Sequence, residues 1–424
     1  MNSFIDLKGK VQYLFKTGFV HIFGFTVVNK LLTFMSSILI VRIIPKDIFG
    51  IYTYANNLVA MFMLASGLGL VSSTFQLCSE HAHNKKRINR IYSYGSAVAL
   101  RFNFLLSIII IIFSIVYTFK FKSAEMYILL MAFQPFVIVI FEFQQVYLRS
   151  NLQNKDYAYS CNLNTIFVVA FSMLGALVYG VTGLIIGNYL AYILSEVIVY
   201  YKFKAFISFK KSKIKNTYKK LLYKIAFISM TNNGLSTLLY LVDIFIIGIY
   251  VTDERLIASY KVATVIPTAI TFIPSAIITY VYPYFAMNRK NMEWTKTNYK
   301  ILLKWVAILN VVITLGLIII AKPLIITIYG KNYLDSLQCF RILVFSYFFS
   351  GTFRIISGNL LVTQRRVGIN LFISIISGVL NIVFNIILIP KLGNLGAALT
   401  TTLIVLISSL FSTFFYLKVI NYKR

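Results

Sequence analysis

Charge is scarce in this chain, and acid is scarcest. Only 12% of its 424 residues are charged, about half the share usual in soluble proteins, and Asp and Glu number 12 against 41 Lys and Arg. With 59% hydrophobic residues and a mean hydropathy of +0.80, a soluble domain is excluded and a polytopic membrane protein is implied. There are three cysteines, Cys78, Cys161 and Cys339, all in or beside apolar segments and without CxxC spacing. Neither a disulfide framework nor a metal site follows from them; they read as small core residues. His81 and His83 sit beside Lys85 and Lys86 at a spacing that does not converge on a helix, so they read as solvated. The chain has no GxxxxGK[ST] loop for ATP and no GxSxG elbow, and it is read as a non-enzyme without cofactors.

What charge there is falls in the gaps between apolar runs. A formal net charge of +29 suggests nucleic acid, but a nucleic-acid-binding domain clusters its cations on a folded face. Residues 202–224, KFKAFISFKKSKIKNTYKKLLYK, hold nine lysines and no acid. So charged a segment cannot cross a bilayer and stays on the cytoplasmic side. It divides the chain into an N-terminal lobe, 1–201, a basic linker, 202–224, and a C-terminal lobe, 225–424. Residues 2–17 space Phe4, Leu7, Val11 and Leu14 for a helix lying on the membrane surface. At about 20 residues per span, the apolar runs predict twelve transmembrane helices. With both termini inside, 28 of the 41 Lys and Arg are cytoplasmic and nine, Lys261 among them, are counted outside. That bias supports the orientation, and the short outer loops leave no room for an external domain.

The two halves resemble each other. FGIYTYA at 49–55 answers IASYKVA at 257–263, with Tyr52 and Tyr260 208 positions apart, and GVTGL at 180–184 answers GNLGA at 393–397. The shared order suggests a six-span unit duplicated in parallel, as in some transporters.

Ionisable residues deep in a span are costly and face a partner or a water-filled cavity. Lys30 lies twelve residues into the first span, on one helix face with Thr26, Thr33 and Ser37; the alternative is a structural pair with Glu142 or Glu196. Ser229, Asn233, Ser236, Tyr240 and Asp243 run down one face of the seventh span, where Asp243 is a proton or cation site or the partner of an internal arginine. Arg101 lies in the third span. Arg341 and Arg354 lie in the tenth, 13 residues apart and so, at ~100° per residue, on different faces. Ser374, Ser377, Asn381 and Asn385 stripe the eleventh span in a pattern that also glues helices together. Pro267 and Pro274 would kink the eighth.

RIIPKDIFGIYTYA at 42–55, LVDIFIIGIY at 241–250 with IASYKVATVIP at 257–267, and LIPKLGNLGAAL at 388–399 carry a resemblance to the bacterial oligosaccharide, or O-antigen repeat-unit, flippases of the multidrug/oligosaccharidyl-lipid/polysaccharide exporter superfamily. It covers nearly the whole chain. The resemblance implies an all-α, V-shaped pair of six-helix lobes with a central cavity, in the bacterial inner membrane. Such a protein moves an undecaprenyl-diphosphate-linked oligosaccharide from inner to outer leaflet by alternating access, for O-antigen or related lipopolysaccharide biosynthesis. It implies membrane lipids, a polysaccharide polymerase and a chain-length regulator as partners, and no nucleic acid. Lys30, Arg101, Arg341 and Arg354 are the expected substrate-binding cations, and Asp243, Glu142 and Glu196 the coupling or structural acids. The competing readings are a multidrug or cation extruder of the same superfamily and a membrane polysaccharide polymerase or ligase.

Overall fold

The structure is a computed structural model. It describes residues 19–81, 84–210 and 212–421, without the side chains of 19–27, 232, 233, 235, 236, 239 and 240. The surface helix expected over 2–17 lies outside these residues, as do His83 and the side chains of Thr26, Asn233, Ser236 and Tyr240.

Helices account for nearly all of the described chain, because a backbone in hydrocarbon must satisfy its own N–H and C=O groups. They are α1 (Phe19–Ile43), α2 (Lys46–Met63), α3 (Leu70–Glu80), α4 (Lys85–Val116), α5 (Lys122–Met131), α6 (Gln134–Ser150), α7 (Asn154–Phe203) and α8 (Asn216–Tyr250). After these come α9 (Glu254–Ile270), α10 (Phe272–Met287), α11 (Met292–Ile319), α12 (Ala321–Tyr329), α13 (Leu337–Phe349), α14 (Ile355–Thr363), α15 (Val367–Leu392) and α16 (Asn394–Asn421). Among the described residues, nine helical segments are long and apolar enough to cross a bilayer. Bulky apolar side chains such as Ile115, Leu177, Val312 and Phe414 stay exposed along them, as hydrocarbon-facing positions do.

By contacts the chain forms two units, residues 1–44 with 62–231, and residues 45–61 with 232–424. Helix α2 groups with the second unit through a tight packing and an ion pair. A Cβ on Gly50 would overlap the Glu254 carbonyl. The Lys46 ammonium lies 2.8 Å from Asp335, which also accepts a hydrogen bond from Ser259 at 2.7 Å.

The duplication is written into local structure. Gly180, with φ 58° and ψ −136°, breaks the long α7 where two spans were expected to meet, and Gly393, with φ 55° and ψ −131°, separates α15 from α16. Only glycine adopts that conformation without strain. Three residues on, Gly183 and Gly396 sit where a Cβ would overlap the carbonyls of Gly175 and Leu388. Asparagines repeat too, 207 positions apart. Asn84 and Asn291 cap α4 and α11 by accepting from the N–H of Arg87 and Trp294, each at 3.0 Å.

Asn103 and Asn310, both fully buried, each brace an irregular turn. The second span breaks between α2 and α3, where Gly67, Leu68 and Gly69 all have positive φ. Asn103 accepts from the Gly67 N–H at 2.7 Å and donates to Ser66 Oγ at 2.9 Å and the Pro135 carbonyl at 2.6 Å. Asn310 accepts from the Tyr347 hydroxyl at 2.7 Å and donates to Thr352 at 3.0 Å, inside a π-turn over Ser350–Arg354. Asn103→Ala strands the groups it served and should lower folding stability by about 2–3 kcal/mol. Thermal melting of the purified protein in detergent checks this, and an unchanged midpoint would show that the break holds without it.

Candidate functional site

Asp243 in α8 is the most completely built polar centre of the second unit. It is 4% exposed, and its carboxylate accepts four hydrogen bonds. Asn385 and Asn381 of α15 donate to Oδ1 at 2.7 and 3.2 Å, and Tyr260 of α9 and Thr401 of α16 donate to Oδ2 at 2.8 and 2.5 Å. All four partners are neutral, and no arginine pairs with it among the described residues. Asp243 of the seventh span thus meets Asn381 and Asn385 of the eleventh, and these two buried asparagines glue α15 to it. One buried acceptor, the Asn385 amide oxygen, has no partner. The set of one carboxylate, two amides and two hydroxyls could hold a proton or, with the amides turned, a hard monovalent cation through oxygen. No group of three or more His, Cys, Asp or Glu converges among the described residues.

The cations of the candidate site are placed less uniformly. Lys30 in α1, Arg101 in α4 and Arg341 in α13 are exposed, and among the described residues none of them makes a hydrogen bond or ion pair. The alternative pairing of Lys30 with Glu142 or Glu196 is not formed. Arg354 is half-buried and lines a polar recess of about 340 Å³ with Thr271, Ser350, Asn370, Ser374 and Ser412. This recess lies where the eighth span breaks at Thr271, between the segments carrying Pro267 and Pro274. Lys261, counted with the outer loops from sequence, is instead a half-buried residue two turns into α9, next to Tyr260.

Among the described residues, Glu142 and Glu196 form no ion pair either. Glu142 lines a cavity of about 940 Å³ with Phe75, Gln76, Glu80, Arg149 and Tyr192. The Arg149 guanidinium lies 4.0 Å from the Phe75 ring centroid and 5.1 Å from that of Tyr157. Aromatic faces beside amides and carboxylates give such a cavity, large enough for a small organic ligand, both apolar contact and directed hydrogen bonds. Glu196 is half-buried with one carboxyl oxygen unpartnered, and its carbonyl accepts from Gln144 at 2.9 Å. Cys78 and Cys339 are buried and Cys161 half-buried, and none is in a disulfide.

Two duplicated helical units, spans broken at glycine, and polar centres held inside apolar helices define the class: a multi-pass membrane protein with the fold of the MOP-superfamily transporters. The chain superposes with TM-score 0.74 on lipid II flippase MurJ in an inward closed conformation, at 16% identity, covering 94% of this chain and 90% of that one. It superposes equally, at 0.74 and 14% identity, on an inward-facing multidrug resistance MATE family transporter of the MOP superfamily, covering 92% and 94%. A MOP superfamily transporter from Pyrococcus furiosus follows at 0.63 and 13%, covering 93% of each. At these identities the likeness shows the fold. Comparison with curated proteins gives no match. The chain belongs to the polysaccharide biosynthesis protein family, whose profile matches residues 38–338.

Proposed function

We propose that this protein is a flippase that carries an undecaprenyl-diphosphate-linked oligosaccharide, such as an O-antigen repeat unit, from the inner to the outer leaflet of the bacterial cytoplasmic membrane, with both termini cytoplasmic. The observation that carries this reading is the set of cations at mid-helix positions, Lys30, Arg101, Arg341 and Arg354, none of them paired with an acid among the described residues. Leaving such charges unpaired in a span is expensive, and a diphosphate leaving water needs donors and positive charge to replace its hydration. Membership of a polysaccharide biosynthesis family supports a sugar-bearing substrate. Two negative charges leaving a negative-inside cell gain roughly 2.3 kcal/mol each per 100 mV, so ion coupling through Asp243 is optional. A polymerase and a chain-length regulator are the partners this role implies.

Deletion of the gene followed by analysis of lipid-linked sugars tests the proposal. Complete repeat units should accumulate at the inner leaflet, whereas single units reaching the outer surface would point to a lost polymerase. The carboxylates of Glu80 and Glu142 in the large cavity of the first unit favour a second reading, extrusion of organic cations. Under that reading the deletion strain would become drug-sensitive while its surface polymer stayed intact.

A further inference from the structure

The basic stretch 202–224 belongs to the first unit and packs on its helices. It is irregular over residues 204–210 and 212–215, before α8 begins. The Tyr92 hydroxyl donates to the Phe206 carbonyl at 2.8 Å, and the Ser96 hydroxyl to that of Ser208 at 3.0 Å. Ile207, Ile214 and Tyr218 pack on the core of that unit. The Tyr218 hydroxyl lies 3.2 Å from His81 Nε2, and its ring has the Arg87 guanidinium 5.6 Å from the centroid.

This docking folds two basic segments, more than a hundred residues apart in sequence, around one recess of about 450 Å³. Lys86, Arg87 and Arg90 from the first turns of α4 line one side, and Lys213, Lys215 and Tyr218 line the other. Asn84, the α4 cap, completes the wall, so the positive end of that helix opens on the same space. No Asp or Glu lines it. Five like charges around one hollow repel one another, and an anion held in the hollow relieves that repulsion. The five are exposed and therefore salt-screened, which favours a polyvalent anion over chloride. Apolar Ile91 and Ile214 share the wall, and Phe209 and Leu221 are exposed nearby in sequence. The recess opens at the first turn of α4, a helix long and apolar enough to cross a bilayer, and basic residues flanking such a helix attract anionic headgroups.

We propose that this recess binds a phosphate-bearing ligand, of the kind an anionic phospholipid headgroup presents at the bilayer surface. The site goes beyond the translocation reading and does not depend on it, since it needs only the first unit and its docked linker. The full-length protein, purified in zwitterionic phosphatidylcholine micelles, would be titrated with tail-labelled phosphatidylglycerol, and the bound lipid competed with inorganic pyrophosphate. The wild type should prefer phosphatidylglycerol over phosphatidylcholine, and R87Q/R90Q/K213Q/K215Q should weaken binding at least tenfold. K213Q/K215Q alone, confined to the irregular segment, should weaken it about threefold. K204Q/K210Q/K220Q/K224Q removes the same charge from the same stretch outside the recess and should change affinity less than threefold. Equal losses from both quadruple variants, or no preference for the anionic lipid in the wild type, would overturn the proposal. Displacement by pyrophosphate, beyond that by chloride at equal ionic strength, would assign the recess to a soluble phosphate; retention of the lipid would assign it to the headgroup.

Discussion

Replacing Asp243 with leucine should lower folding stability by about 3–5 kcal/mol. Four donors converge on this carboxylate from three other helices, α9, α15 and α16. Leucine leaves the amides of Asn381 and Asn385 and the hydroxyls of Tyr260 and Thr401 facing apolar surface, where an unpaired donor loses its hydration and gains nothing. Asp243→Asn keeps one acceptor oxygen and the side-chain volume, so it should cost roughly half as much. Thermal melting of the detergent-purified variants would give the order wild type, Asn, Leu, and a leucine variant that melts with the wild type would show that the four bonds are not what joins these helices. The same pair separates structure from coupling. If Asp243→Asn folds and still exports polymer at the wild-type rate, the carboxylate's charge serves packing alone; if it folds and export fails, the charge takes part in the transport cycle.

The same physics explains why some of this centre was visible in sequence and some was not. Hydropathy marks the apolar helices, of which nine among the described residues are long enough to span, because a bilayer tolerates few alternatives to an apolar helix. The repeat showed at Gly180 and Gly393, since a conformation open only to glycine fixes the residue type. Asn381 and Asn385 read as helix glue, and they are; that Asp243 is what they hold depends on helix rotation, which no spacing rule supplies. Asn103 and Asn310 carried a signal that went unused, the same residue at the offset that also relates Asn84 to Asn291, but a lone asparagine in a span is too ordinary to stand out. Lys261 was counted outside for a different reason. It sits near Arg255 in sequence, yet the Asp253 cap starts α9 at Glu254, which places Lys261 two turns into that helix. Reading Asp253-Glu254 as a helix start would have moved it.

Lys30 and Arg101 give the sharpest test of substrate handling, because removing them should affect stability and transport in opposite ways. A structural ion pair, once broken, destabilises. An exposed cation without an acid partner at mid-span depth costs energy in a bilayer, so Lys30→Ala and Arg101→Ala should leave the melting midpoint unchanged or raise it. Export should fall instead. A charge-assisted hydrogen bond to a diphosphate oxygen is worth about 1.5–3 kcal/mol, so each loss should weaken head-group capture roughly 10- to 150-fold, and the double variant should leave almost no surface polymer. Lys30→Arg keeps the charge and should retain most of the activity, since a phosphate accepts either cation. Surface polymer would be measured in a strain lacking the native gene, at matched expression. If Lys30→Ala and Arg101→Ala both restore full polymer, these cations face lipid headgroups or bulk water and take no part in holding the diphosphate. If both lose export and also melt early, they have structural partners, and the diphosphate must be sought at Arg341, at Arg354 with its polar recess, or at Lys261.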